Sequence, residues 1–88
     1  MTEQEFINNV LEYKDSVIVK FETKDGEEYK IVAGKLFYID GEDNVDIYTF
    51  SDFGIGNIFE KRLNVLALKV YNYLTKSEGE EIVFVYEG

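Results

Sequence analysis

Apolar residues recur every three or four positions in two stretches of this chain and every second position in several others, and the alternation of these periods predicts its elements. Asn57 to Lys76 is the longest apolar run. Phe59, Leu63, Leu66, Ala67, Val70 and Leu74 fall on one helical stripe, with Ile58, Val65, Leu68 and Tyr71 on a second beside it. Asn57 followed by Glu60 has the spacing of a capping box, so the main helix is predicted to begin there, loosened from what precedes it by Gly54 and Gly56. Only Lys61, Arg62, Lys69, Asn72 and Lys76 remain to face water, which makes the helix either centrally packed or partner-facing. A strand over Asn64 to Leu74, pairing with Ile82 to Tyr86, is the competing assignment; length, cap and helix-forming residues favour the helix.

At the start of the chain, Thr2 and Glu5 repeat the capping-box spacing ahead of Phe6, Ile7, Val10 and Leu11, predicting a helix from Glu3 to about Tyr13. Ser16 to Thr23 then alternates, with Val17, Val19, Phe21 and Thr23 on the buried face of a strand. Register identifies the next turn. A two-residue Asp25-Gly26 turn would set Phe21 against Lys30, whereas a three-residue loop with Gly26 left-handed sets Phe21 against Tyr29, Val19 against Ile31 and Val17 against Ala33. The second keeps one apolar face intact, and it places Lys20 against Lys30 and Glu22 against Glu28 on the other. Gly34 marks a bulge or tight turn before a strand from Lys35 to Ile39, apolar on both faces and therefore internal to the sheet. Val45 to Phe50 returns antiparallel to it, and Ile82 to Tyr86 is a last strand. The predicted fold is α+β over residues 1–88: an antiparallel meander of four to five strands with two helices on one face, in the order α-β-β-β-β-α-β.

Composition narrows the chemistry. With 45 % hydrophobic residues, seven Phe and seven Tyr, 88 residues can fold as one domain around one core. Cysteine and histidine are both absent, which removes thiolate and imidazole nucleophile systems and nearly all zinc sites, so the chain is expected to be non-enzymatic and without cofactor or metal. The acidic segment Asp40-Gly41-Glu42-Asp43-Asn44-Val45-Asp46 lacks the turn glycine and distal glutamate of a calcium loop. Gly54-x-Gly56 lacks the lysine of a phosphate loop. No basic signal region precedes the first helix and no run approaches a membrane span, so a cytoplasmic location without membrane contact is expected.

Eighteen acidic residues against nine basic ones, a net charge of -9, disfavour direct contact with nucleic acid and favour a basic protein partner. The carboxylates cluster on predicted turns: Asp25, Glu27 and Glu28; Asp40, Glu42, Asp43 and Asp46; Glu78, Glu80 and Glu81. Brought to one end of the sheet, they would imitate the spaced charge of a polynucleotide backbone, with Tyr38 and Tyr48 as interface anchors and Tyr71 or Tyr73 beside them.

In size, acidity, lack of Cys and His, and richness in Ile, Lys, Asn, Glu and Tyr, the chain resembles small acidic phage-encoded anti-defence proteins of the anti-CRISPR type. That resemblance implies a stoichiometric inhibitor, acting in the host cytosol, that occupies the positively charged nucleic-acid channel of a CRISPR effector or similar nuclease. It rests on length and composition and transfers no individual residue. The alternative is a small acidic scaffold or assembly protein that homodimerises through Leu68 and Tyr71 of the main helix; monomer and homodimer both stay open.

Overall fold

The computed structural model describes residues 1–40, 46–49 and 58–88, with backbone alone described for residue 40 and residues 46–49. Thr2 caps the first helix, α1 (Glu3–Glu12), as predicted: its hydroxyl accepts the Glu5 N–H, and the Glu5 carboxylate accepts the Thr2 N–H in return. Phe6 and Val10, one turn apart on the inner face of α1, are wholly buried.

Among the described residues, five antiparallel strands follow the meander: β1 (Ile18–Thr23), β2 (Glu28–Val32), β3 (Lys35–Asp40), β4 (Asp46–Thr49) and, after the second helix, β5 (Ile82–Glu87). Their order across the sheet is β4-β3-β2-β1-β5, so the last strand closes the open edge of the first. The three-residue loop is present, with Gly26 at φ 86 and the register Phe21 to Tyr29 and Val19 to Ile31. Lys20 faces Lys30 and Glu22 faces Glu28 on the opposite side of the sheet. Neither helix packs there, and Phe84 stands 61 % exposed beside them.

Val17 departs from expectation. It lies before β1 and is 80 % exposed, because Ala33, its expected partner, is taken up in the turn between β2 and β3. Ala33 and Gly34 form that two-residue turn with φ 50 and φ 75, both left-handed. This is the pattern of a type I′ hairpin, whose twist matches the strands it joins. An alanine pays for left-handed backbone where asparagine does so far less, so Ala33→Asn is expected to stabilise the fold by about 1 kcal/mol, read as a raised urea midpoint with an unchanged slope. A lowered midpoint would contradict the turn assignment.

The second helix, α2 (Leu63–Asn72), continues into a π-helical segment, Tyr73–Ser77. This settles helix over strand for Asn64 to Leu74 and corrects the predicted start. Asn57 lies outside the described residues. Glu60 caps nothing as an N3 residue, because the chain at Phe59 forms a bridge to Lys35 and the Glu60 N–H donates to the Gly34 carbonyl at 3.1 Å. The missing side chain at Gly34 permits that approach: a Cβ there would stand 2.9 Å from the Glu60 carbonyl oxygen. The Glu60 carboxylate instead accepts the Arg62 N–H and meets Lys69 at 3.4 Å, with the Arg62 backbone bond the first cause holding its pKa below the usual range.

Leu66, Ala67, Val70 and Leu74 bury completely against Phe6, Val10, Phe21, Leu36 and Ile82, forming the core between the two helices and one sheet face. Two members of the second stripe are used within the chain as well. Tyr71 lies 6.0 Å from Phe6 ring to ring and donates its hydroxyl to the Met1 carbonyl, and Ile58 packs against the core. Among the described residues, no helix is long and apolar enough to cross a membrane.

Candidate functional site: an acidic tyrosine cleft at one end of the sheet

An antiparallel meander sends alternate turns to the same end, and here those turns are the acidic ones. Glu22 pairs with Glu28, Glu28 with Ile39, Asp40 with Asp46, and Thr23 with Ile82. The β1–β2 loop, the backbone of Asp40 and Asp46, and the approach to β5 therefore share one end of the sheet. Glu42 and Asp43 lie outside the described residues, and for Asp40, Asp46 and Tyr48 only the backbone is described; Tyr48 pairs with Tyr38.

The first and third acidic groups are joined directly. The Lys24 N–H donates to the Glu81 carbonyl at 2.7 Å, and the Lys24 ammonium stands 3.9 Å from the Glu81 carboxylate. Both side chains of that pair are largely exposed, so it contributes little to stability. Asp25, Glu78 and Glu81 are exposed at the rim. Glu28 faces away with Glu22 and Lys30 on the other side of the sheet, where its charge helps raise the Tyr86 phenol after burial has done most.

Between the two turns lies a cleft of about 240 Å³ lined by Glu27, Tyr29, Tyr38, Tyr73, Glu78 and Glu80. Two of its carboxylates are held by tyrosines: the Tyr38 hydroxyl donates to Glu27 and the Tyr73 hydroxyl to Glu78. Tyr29 forms the floor, buried to 7 % exposure, stacked on Phe21 at 5.6 Å and tilted against Tyr38 at 5.3 Å. Burial raises the Tyr29 phenol, with Glu80 and Glu27 adding; burial and then the bond to Glu78 raise Tyr73. Both phenols are therefore protonated donors at neutral pH.

Glu80 is the least satisfied member. Its Oε2 is shut off from solvent and accepts no hydrogen bond from the described residues. Burial raises its pKa above the usual carboxyl range; the Thr23 hydroxyl opposes this and Asp25 and Glu27 add to it. A carboxyl whose native pKa lies above its unfolded value of 4.5 favours folding below that value, and the benefit is lost as pH rises through the native pKa. Glu80→Gln is accordingly expected to raise the melting temperature at pH 7 by a few degrees, with the gain shrinking to nothing as melts are repeated down to pH 4. A lowered melting temperature at pH 7 would mean that the charged form is favoured.

Tyr38, expected as an interface anchor, and Tyr73, expected beside it, line the cleft, and Tyr29, expected on the buried face, is buried in the core and forms the cleft floor as well. The signal was present: in a strand of period two, Glu27 and Tyr29 share a face. Among the described residues, no group of three carboxylates is placed to hold a metal ion. Comparison of the chain with protein-family models, with curated proteins and with solved structures finds no match.

Proposed function

We propose that this chain is a non-enzymatic inhibitor that binds the basic nucleic-acid-binding surface of another protein in the cytoplasm, its acidic end lying where polynucleotide phosphate otherwise lies. A nuclease with a positively charged channel, such as a CRISPR effector, is the kind of partner this chemistry fits. The observation that supports the reading is the gathering of acidic turns at one end of the meander, two of them tied by the Lys24 to Glu81 backbone bond. Carboxylates on short turns lose little conformational freedom on binding, and a field of one sign speeds encounter with a cationic groove.

Competition tests this. With a basic nuclease and labelled DNA, the chain is expected to displace the DNA stoichiometrically, and its apparent affinity is expected to fall at least about tenfold between 50 and 300 mM NaCl. An affinity indifferent to salt would defeat the proposal.

A further inference from the structure

We infer that the cleft between the β1–β2 loop and the approach to β5 is the seat of a single arginine side chain supplied by the partner, an assignment that rests on the proposed binding of a basic protein surface. The features that select this occupant are the walls of the cavity more than its charge. Three aromatic rings, Tyr29, Tyr38 and Tyr73, surround a space of about 240 Å³, and a planar guanidinium stacks on such faces as a compact ammonium does not. Glu27 and Glu78 are already oriented by the tyrosine hydroxyls, which leaves their remaining lone pairs as acceptors fixed in place. Glu80 lines the same cavity with a solvent-shielded oxygen that lacks a donor, and a guanidinium brings five donors in a fixed fork. An anion would meet three glutamates, and among the described residues those carboxylates are not placed together to hold a metal ion. The same cavity gives the acidic end a specificity that surface charge alone does not provide, because one arginine must enter it while neighbouring cations meet the rim residues Asp25 and Glu81.

The test uses ethylguanidinium as probe, titrated into the isotopically labelled full chain at constant ionic strength and followed by amide chemical shifts. Saturable shifts are expected at Glu27, Tyr29, Tyr38, Tyr73, Glu78 and Glu80, with a Kd on the order of 1–10 mM. Glu80→Gln, which is expected to retain the fold, is expected to weaken the probe at least fivefold, and ethylammonium is expected to bind at least fivefold more weakly than ethylguanidinium. Shifts that stay linear, that spread over all acidic residues, or that are unchanged by Glu80→Gln overturn the assignment, as does equal binding of the two cations. A parallel titration of poly-L-arginine separates this inference from the proposed function. Salt-sensitive binding with the same affinity for the native chain and Glu80→Gln rejects the arginine seat while leaving the basic-partner reading standing. No binding of poly-L-arginine, with ethylguanidinium still saturating the cleft, rejects the basic-partner reading instead.

Discussion

Replacing Phe6 by alanine is expected to cost about 3–5 kcal/mol of folding free energy, the largest effect of any single substitution in the described core. Phe6 is fully buried, meets Phe21 edge-on at 5.3 Å and lies 6.0 Å from Tyr71, so its ring joins α1 to the sheet and to α2 at once. Removing it leaves a cavity bounded by three elements, and none can close the gap without breaking contacts with the other two. A domain of this size has a total stability of roughly 4–13 kcal/mol, so the variant is expected to be marginal or unfolded at 37 °C. Urea denaturation followed by circular dichroism measures it. A loss below about 1 kcal/mol would mean that α1 is not integral to the core. Phe6→Leu, which retains most of the apolar volume, is expected to recover much of the loss.

The parts of this fold that were legible in the sequence are those determined by neighbours along the chain. The cap of α1 depends on Thr2 and Glu5, three residues apart, and both partners are present. The register of β1 against β2 follows from alternation plus Gly26, since one residue of slip would turn Phe21 and Tyr29 out of the core. The start of α2 was not legible, because it depends on a distant contact. Asn57 and Glu60 have a local cap spacing, yet the Glu60 backbone is recruited by Gly34, and Phe59 by Lys35, across a wide separation in sequence. The cleft was half legible. Clustered carboxylates and the alternate turns of a meander place the acidic groups at one end. That Tyr73 meets Glu78 depends on the last helical turn widening to π geometry at Tyr73–Ser77, which no residue type announces.

Neutralising the rim of the acidic end, with Asp25→Asn, Glu78→Gln and Glu81→Gln combined, is expected to weaken binding to a basic partner by roughly 2–3 kcal/mol, about 30- to 150-fold at low salt. The three side chains are exposed, and the ion pair of Glu81 is a largely solvated contact with Lys24, so the fold is expected to survive. Glutamine at position 78 retains an acceptor for the Tyr73 hydroxyl. A control must remove as much charge from elsewhere, because the net charge of -9 attracts cations whichever residues supply it. Glu12, Asp15 and Glu87 serve. All are exposed, and all lie toward the opposite end, with Glu87 paired to Val19 and Glu12 and Asp15 flanking the end of α1. Their neutral variants are expected to weaken binding less than fivefold. The salt dependence is expected to flatten in the rim variant and to persist in the control, since fewer close charge pairs then remain for salt to screen. Equal losses from the two triple variants would show that overall charge, and not the arrangement of turns at one end of the sheet, drives association.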